Sequence, residues 1–324
     1  MRQGTEFALR WLRRLAQLGV LGFGVAVVFG WFGWLHPAFD SFATFRMFFG
    51  AGLAAALVVL LLFRRWAWVA AGVAMLLISA ALTFPHLPGM KRGWAVEGAA
   101  PLKGKPRLRV AQANLLLSIR EHAETIAILR SADPDVILLQ ELRRDDRTTL
   151  RELAKTHPHQ LDCTEGRWHS VAIVSRLPLA TNATDFCPAP GGLGISQIML
   201  EGTPVNVVSY HAWWPWPNNQ HYQRARLTKV LSGLQGATIM GGDFNNSPWS
   251  HAVRDFARSF GGQVPAGLWL TWQPQPLKWW LPAIRVLPLD HTLHSPDFGL
   301  ISRELLPSGG SDHHPVVSEY VFLD

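Results

Sequence analysis

Cysteine is scarce in this 324-residue sequence, and several familiar motifs are missing from it. The two cysteines, Cys163 and Cys187, form neither a CxxC pair nor a Cys/His zinc pattern. They are either two free thiols or one disulfide. A disulfide would close a loop of about 25 residues and would form only if the domain lies outside a reducing cytoplasm. No Gly-rich phosphate loop or dinucleotide fingerprint occurs, which excludes the P-loop and Rossmann types of nucleotide site.

Acidic residues are almost missing from the first 93 residues, which are nearly continuously apolar. After Pro101 the sequence changes to alternating strand-like runs, helical spacings and polar turns, as in a soluble domain. This change predicts a membrane anchor over residues 1–96, a linker over residues 97–106 and a folded domain over residues 107–324.

The predicted anchor contains three uncharged apolar stretches, residues 15–35, 47–63 and 66–84. Each has about 17 to 21 residues, close to the length that a helix needs to cross a bilayer core. We therefore predict three transmembrane helices. The alternative for the first stretch is a cleaved signal peptide, but its apolar run exceeds the usual length of about 7 to 15 residues and lacks a small-residue cleavage site.

Basic residues beside the stretches predict their orientation. The loop between the first and second stretches has one basic residue, Arg46, and one acidic residue, Asp40, and so carries no net positive charge. Lys91 and Arg92, which follow the third stretch, are the exception, since they favour a cytoplasmic position for the end of that stretch. The arginines on the predicted cytoplasmic side are Arg2, Arg10, Arg13, Arg14, Arg64 and Arg65. The N-terminus is thus predicted to be cytoplasmic, and three crossings of the cytoplasmic membrane place the folded domain on the periplasmic or extracellular side.

The formal net charge of +7 is concentrated in the predicted anchor. The first 100 residues hold nine Lys and Arg against three Asp and Glu, and the remaining residues hold 21 against 20. A nearly neutral folded domain lacks the overall positive charge expected of a non-specific nuclease. The alternative is a local basic groove within this neutral domain.

Apolar runs and turn residues predict a mixed α+β domain with many strands. Helical spacing occurs at residues 121–131 and 218–234. The predicted strands are residues 107–117, 136–141, 171–175, 195–200, 205–211, 238–242, 289–294 and 316–322. This order predicts two packed sheets with helices outside them.

Tryptophan is concentrated in two segments of the folded domain. The first contains Trp213, Trp214 and Trp216, and the second contains Trp269, Trp272, Trp279 and Trp280. Tryptophan favours the headgroup level of a bilayer and also forms platforms on which bases or sugars stack. The two segments are interpreted as a membrane-facing rim or as an apolar wall for substrate, with Trp213 and Trp214 as substrate-binding residues; packing on the domain's own core is the alternative.

Two polar motifs follow or precede apolar runs near the C-terminus, Gly241-Gly242-Asp243-Phe244-Asn245 and Ser311-Asp312-His313-His314-Pro315. A metal-dependent phosphoryl hydrolase needs a carboxylate for a cation, a carboxylate to orient water, an imidazole for phosphate oxygens and an amide donor. The two motifs supply these chemical groups.

Seven polar motifs occur in a definite order, each at a predicted strand end. They are Gln112-Ala113-Asn114, Gln140-Glu141, Ser175-Arg176, His211, Gly242-Asp243-Phe244-Asn245, Leu289-Asp290-His291 and Ser311-Asp312-His313. This order resembles the endonuclease/exonuclease/phosphatase superfamily over residues 107–324. The resemblance implies a deoxyribonuclease I-like fold, which is a four-layer α/β/β/α sandwich of the α+β class, here preceded by the three predicted transmembrane helices.

The resemblance also implies roles for these residues. Glu141 would be the principal ligand of a divalent cation, Mg²⁺ with Mn²⁺ as the alternative, assisted by Asn114 and Asp312. Asp243 would activate the attacking water, and Asn245 would donate to a phosphoryl oxygen. Asn114 would also contact the phosphate.

Further roles are implied for the imidazoles and for one polar pair. His313 would contact the scissile phosphate, with Asp290 fixing its tautomer, and His211 would contact the phosphate or the leaving group. Ser175 and Arg176 would support the site through hydrogen bonds. Nuclease members commonly carry an acid two residues after the first-strand Asn, where this sequence has Leu116.

These expectations predict a membrane-anchored, metal-dependent phosphoesterase that cleaves a phosphodiester or phosphomonoester. The substrate classes left open are a phospholipid, a lipid-linked phosphate and a nucleic acid, and the lipid bilayer is the other expected partner. A DNA or RNA nuclease is the main alternative, and a non-catalytic membrane scaffold is a further one. The sequence identifies no protein partner.

Overall fold

The computed structural model describes residues 2–83, 104–143, 147–164, 170–180, 186–265, 267–275, 280–281 and 284–323. Trp279 and most of the predicted linker, residues 97–103, lie outside the described residues. The chain divides into two compact units. One consists of residues 1–87 with residues 249–251, and the other is the remainder of the chain.

The first unit is helical, with α1 at Arg2–Phe29, α2 at Pro37–Thr44, α3 at Arg46–Leu62 and α4 at Trp66–Thr83. By length and composition, α1 and α4 could each cross a membrane. The second predicted span lies on α3, which has 17 residues and meets α2 at an angle of 63°. A third crossing therefore exists only if this bent pair acts as one span.

The second unit is an α+β domain. Its helices are α5 at Ala123–Ser131, α6 at Arg147–Ala154, α7 at Gln220–Leu231 and α8 at His251–Ser259, which belongs to this unit from Ala252 onward. Its strands are β1 at Arg107–Asn114, β2 at Val136–Gln140, β3 at His159–Cys163, β4 at Val171–Ser175, β5 at Leu193–Leu200, β6 at Thr203–His211, β7 at Thr238–Asp243, β8 at Asp290–His294, β9 at Phe298–Leu305 and β10 at Val316–Phe322.

The strands form two sheets, one with the order β3-β4-β2-β1-β10-β9 and one with the order β5-β6-β7-β8. Successive side chains of a strand point to opposite faces of its sheet, so each sheet has an inner and an outer apolar face. Val110 and Leu138 pack with Val207 and Ile239 between the sheets. The predicted two-sheet arrangement is confirmed.

Helices cover both outer faces. Leu129 of α5 and Leu153 of α6 pack on the first sheet, and Leu227 of α7 and Phe256 of α8 pack on the second. The layer order is helices, sheet, sheet and helices, which confirms the predicted four-layer sandwich.

Several elements were not predicted from the sequence. The strands β3 and β9 and the helices α6 and α8 are present although no regular pattern was assigned to them. The edge strand β3 mixes polar and apolar residues, so its alternation is weak. Cys163 at its end forms a disulfide with Cys187, with their Cα atoms 5.6 Å apart, which answers the question left open by the sequence.

Candidate active site

Strand pairing brings most of the polar motifs to one edge of the two sheets. The parallel pairing of β1 and β2 places Asn114 beside the end of β2, where Glu141 follows. In the second sheet, His211 on β6 pairs with Asp243 on the parallel strand β7, which pairs in turn with Asp290 on β8. Neighbouring strand ends therefore supply the side chains of one cleft.

Asn114 links two carboxylates that come from different sheets. Its side-chain nitrogen donates to Glu141 Oε1 at 2.9 Å and to Asp243 Oδ2 at 3.1 Å. The second oxygen of Glu141 accepts a hydrogen bond from the backbone N–H of Leu117 at 2.8 Å. These contacts fix the orientation of both carboxylates.

The backbone around the cleft is strained. Leu116, Glu141 and Asn245 have φ angles of +62°, +59° and +50°. Such conformations cost about 1 to 3 kcal/mol each and persist where the surrounding structure enforces them. A Cβ atom on Gly242, where φ is +151°, would lie 1.8 Å from the carbonyl oxygen of Tyr210. These backbone conformations lower the free energy of unfolding, and they position the side chains of the cleft.

Asp243 is the more buried of the two linked carboxylates. Its side chain is 2% exposed, against 20% for Glu141. Burial raises the pKa of Asp243 to about 7, although the neighbouring His313 favours its charged form. The backbone N–H of Asn245 donates to Asp243 Oδ1 at 2.8 Å. A carboxylate with a pKa near neutrality suits the acceptance of a proton from water.

His313 and Asp290 form a buried pair, with His313 Nδ1 2.8 Å from Asp290 Oδ2. The other ring nitrogen, Nε2, lies 3.7 Å from Asp243 Oδ2. Burial disfavours the imidazolium, but Asp290 and Asp243 outweigh this effect and raise the pKa of His313 to about 10. Ser311 accepts from the backbone N–H of His313 at 3.0 Å and donates to the carbonyl of Asn114 at 2.8 Å. The imidazole is thus held in a charged and oriented state.

His211 contacts both linked carboxylates. Its Nε2 lies 3.5 Å from Glu141 Oε1 and 3.8 Å from Asp243 Oδ2. Burial lowers the pKa of His211. Burial acts to raise the pKa of Glu141, but His211 and the hydrogen bonds from Leu117 and Asn114 outweigh it and lower that pKa. Glu141 is therefore ionised at neutral pH.

The donor set fits a divalent cation. One ligand atom from each of Glu141, His211 and Asp243 lies within 4.8 Å of the others, and Asp243, Asp290 and His313 form a second such group. Mg²⁺ prefers oxygen ligands and keeps several of its waters, which suits the partly exposed carboxylate of Glu141. Asp312, which was predicted as a ligand, belongs to neither group but lines the same cleft, and burial raises its pKa.

The cleft has a volume of about 690 Å³ and walls of mixed character. Its polar floor includes Glu141, Asp243, Asn245 and His313. Its apolar lining is formed by Leu116, Leu117, Trp214 and Trp272. Ser118 and Arg143 also line it and were not singled out from the sequence. The position of Arg143, two residues after Glu141, was the only sequence signal for it.

Three predicted substrate-contacting residues have different surroundings. Trp214 is 59% exposed and lines the cleft. Trp213 is not among the cleft-lining residues, and its ring stacks on Tyr222 with a centroid distance of 6.5 Å. The side-chain amide of Asn245 donates one hydrogen bond to the carbonyl of Ala212 at 2.9 Å; an amide nitrogen carries two donors.

Ser175 and Arg176 lie at the opposite edge of the sheet. β4 runs antiparallel to β2, so Ser175 pairs with Val136 at the start of β2. Ser175 Oγ donates to the carbonyl of Leu177 at 2.9 Å, and Arg176 forms an ion pair with Asp133. The direction of β4 carries this pair away from the cleft, and the side-chain contacts of the pair go to Leu177 and Asp133. The expected support of the site by this pair stays a prediction.

Comparison with known proteins identifies a family and a fold. The Endonuclease/Exonuclease/phosphatase family matches residues 111–313. The 3′ phosphatase NExo from Neisseria, bound to a product DNA hairpin, is 19% identical, with a TM-score of 0.51 over 66% of this chain and 100% of that chain. Sphingomyelinase C from Streptomyces griseocarneus is 18% identical, with a TM-score of 0.50 over 66% and 98%.

A third solved structure, an endonuclease/exonuclease/phosphatase from Beutenbergia cavernae, is 17% identical, with a TM-score of 0.50 over 67% of this chain and 72% of that chain. These likenesses are of fold, and they confirm the expected deoxyribonuclease I-like sandwich. No curated protein sequence matches the chain.

Proposed function

Because the chain belongs to the endonuclease/exonuclease/phosphatase family and is therefore a hydrolase of phosphoric ester bonds, we propose that it is a membrane-anchored, divalent-metal-dependent phosphoesterase acting on an amphiphilic phosphate ester. The observation that carries this proposal is the convergence of Glu141, Asp243 and His313 on one cleft. Asn114 bridges the first two, and Asp243 Oδ2 lies 3.7 Å from His313 Nε2.

The proposed reaction is an in-line attack of water at phosphorus, in which the new P–O bond forms as the bond to the ester oxygen breaks. The leaving alkoxide then takes a proton from solvent. Glu141 and Asp312 would hold Mg²⁺ or Mn²⁺, with Asn114 orienting the Glu141 carboxylate through its amide N–H, and the bound cation would neutralise charge on the phosphate. Asp243 accepts the proton of the attacking water. The imidazolium of His313 donates to a phosphoryl oxygen while Asp290 keeps it oriented, and Asn245 adds an amide donor. His211 contacts the phosphate or the leaving group.

The walls of the cleft support an amphiphilic substrate. Leu116, where nuclease members commonly have an acid, lies beside Leu117 in the lining, and Trp214 and Trp272 add two indole rings. Large apolar side chains favour an acyl or isoprenoid chain near the phosphate through burial of apolar surface. Residues 101–324 carry 21 basic and 20 acidic residues, which offers little general attraction for a polyanion.

A nuclease is the second candidate function. Arg143 lines the cleft and could contact a nucleic-acid phosphate. The fold itself does not choose between the candidates, because it is shared with a DNA-bound 3′ phosphatase and with a sphingomyelinase C.

A substrate panel tests both candidates. The full chain in detergent is incubated with phospholipids, a lipid-linked phosphate, DNA and RNA, with Mg²⁺ and again after chelation by EDTA. We expect hydrolysis of an amphiphile, loss of activity with EDTA, and a loss of about 10² to 10⁴-fold in Asp243→Ala and His313→Ala. Equal activity in the variants would refute the assignment, and cleavage of nucleic acid alone would favour the second candidate.

The N-terminal helices are proposed to anchor the enzyme in the cytoplasmic membrane, with its N-terminus inside and its α+β domain outside. Two observations support this orientation. Arginines flank the first apolar stretch on its N-terminal side and also follow α3, and the Cys163–Cys187 disulfide is of a kind that persists outside a reducing cytoplasm. An outside domain requires three crossings, so the bent pair α2 and α3 would act as one span.

The orientation is tested with a single reactive thiol. Ser232→Cys introduces a cysteine at an exposed position of the α+β domain, whose two native cysteines are bridged. A membrane-impermeant maleimide should label this cysteine in intact cells in which the outer envelope has been opened. Labelling only after lysis of the cytoplasmic membrane would place the domain inside and leave two crossings.

A further inference from the structure

The two carboxylate oxygens of Asp312 have different surroundings. Oδ2 accepts a hydrogen bond from the indole Nε1–H of Trp272 at 3.2 Å. Oδ1 is buried and has no hydrogen-bond partner among the residues that the structure describes. A buried carboxylate oxygen without a donor is costly, and such an atom in a native structure calls for a ligand, a water or an ion. Asp312 lines the cleft that contains Glu141 and Asp243.

The backbone of Trp272 is fixed on two sides. Trp272 pairs with Leu287, through hydrogen bonds of 3.0 Å from its own N–H and 2.8 Å from the N–H of Val286 to its carbonyl. On the other side, the N–H of Gln273 donates to the carbonyl of Asp312 at 2.9 Å. The backbone around Trp272 is thus hydrogen-bonded to Asp312, the same residue whose side chain accepts from the Trp272 indole.

We propose that Trp272 is a positioning residue for Asp312: its indole N–H holds one carboxylate oxygen and thereby leaves the other oriented as a ligand for the divalent cation. This inference rests on the metal site of the proposed function. A donor that fixes the orientation of a metal-binding carboxylate raises metal affinity, because less conformational freedom is lost when the cation binds. Trp272 also contributes its ring to the cleft wall.

The variant Trp272→Phe separates the hydrogen bond from the packing. Phenylalanine keeps an aromatic ring in the wall but has no N–H donor. A wall-only role predicts a change in substrate KM with unchanged metal affinity. A positioning role predicts weaker metal binding, with kcat recovered when the metal concentration is raised.

Binding of Mn²⁺ to the full chain in detergent provides a readout without substrate. Free Mn²⁺ is followed by its electron paramagnetic resonance signal in the wild type, Trp272→Phe, Asp312→Ala and Trp280→Phe. The last variant is the matched control, because Trp280 is 83% exposed in the same segment of the chain. We expect Trp272→Phe to weaken the Mn²⁺ affinity at least about tenfold, as is typical for residues that orient metal ligands, and the control to leave it unchanged.

The double variant Trp272→Phe/Asp312→Ala tests whether Trp272 acts through Asp312. We expect it to bind Mn²⁺ as the single Asp312→Ala variant does, since the two effects are then coupled rather than additive. An unchanged affinity in Trp272→Phe, an unchanged affinity in Asp312→Ala, or additive losses in the double variant would each overturn the inference. Absence of Mn²⁺ binding in the wild type would instead overturn the proposed function itself. Thermal unfolding of each variant identifies any that fail to fold.

Discussion

The α+β domain has one acid–base pair at the cleft and another at the opposite edge of the sheets, and the two pairs differ in burial. At the cleft, Asp290 and His313 are 0% and 6% exposed and lie 2.8 Å apart. At the other edge, Asp133 and Arg176 are 77% and 32% exposed. The buried pair holds the pKa of His313 far above its ordinary value, whereas water screens the exposed pair.

The two edges also differ in how crowded the backbone is. Left-handed φ angles occur at both, at Glu141 and Asn245 beside the cleft and at Asp133 in the exposed pair, but at the cleft Gly242 also has no room for a Cβ atom. At the opposite edge, Asp135 accepts from the N–H of Arg109 at 2.8 Å and its own carbonyl accepts from the N–H of Arg176 at 2.9 Å. The cleft edge positions reactive side chains, whereas at the opposite edge Asp135 accepts hydrogen bonds from backbone N–H groups of the sheet.

Replacing the buried carboxylate should have the largest effect on activity. Asp290→Asn keeps the shape of the side chain but removes the charge that orients His313 and favours its protonated form. We expect kcat to fall by about 10² to 10⁴-fold, as for other imidazoles that lose an orienting carboxylate. Asp133→Asn makes the same chemical change at the exposed pair and should leave kcat within about twofold. Similar losses in both variants would remove the distinction between the edges.

Glycines at the two ends of β7 give a matched test of backbone placement. Gly242→Ala puts a Cβ atom 1.8 Å from the Tyr210 carbonyl oxygen, so we expect a loss of more than about 4 kcal/mol of unfolding free energy. Gly236, which precedes the strand, has a φ of +83°, and no atom lies within 4 Å of the position that a Cβ atom would take. Gly236→Ala should therefore cost only about 1 to 2 kcal/mol, the strain of the left-handed conformation. Urea unfolding of the full chain, followed by tryptophan fluorescence, would compare them; equal midpoints would contradict the clash.

The disulfide should matter for stability and not for the reaction. Cys163 and Cys187 are 24 positions apart, and opening such a loop costs about 3 kcal/mol of unfolding free energy in the chain-entropy model. We expect Cys163→Ser/Cys187→Ser to unfold at a lower urea concentration and to keep the kcat of the wild type while folded. A large fall in kcat without loss of stability would show that this edge strand supports the cleft.

The sequence was most informative where polar residues end apolar strands. Asn114, Glu141, His211 and Asp243 were expected together, and the parallel pairs β1–β2 and β6–β7 bring them together. Parallel strands carry their C-terminal ends to the same edge, so a local pattern was enough. Ser175 ends an antiparallel strand, and strand direction depends on pairing that no local pattern contains.

Other features also needed tertiary information. The hydrogen bond from Trp272 to Asp312 joins residues 40 positions apart, and no spacing rule relates them. The second apolar stretch already had 17 residues in the sequence, and α3 has the same length. What the sequence did not show is the 63° bend between α2 and α3. The cysteine pair was left open because two thiols in a sequence do not state their distance, which the structure gives as 5.6 Å between Cα atoms.

The smallest effect is expected for Arg176→Ala at the exposed pair. Arg176 contacts Asp133 at the surface, and exposed ion pairs contribute little because both side chains lose conformational freedom and water screens their charges. Its backbone N–H still donates to the carbonyl of Asp135 in the variant. We expect kcat, KM and the urea midpoint to stay at wild-type values, whereas His313→Ala at the cleft abolishes most activity. A clear loss of kcat in Arg176→Ala would confirm the supporting role first expected from the sequence and would mean that the far edge of the sheet is coupled to the cleft.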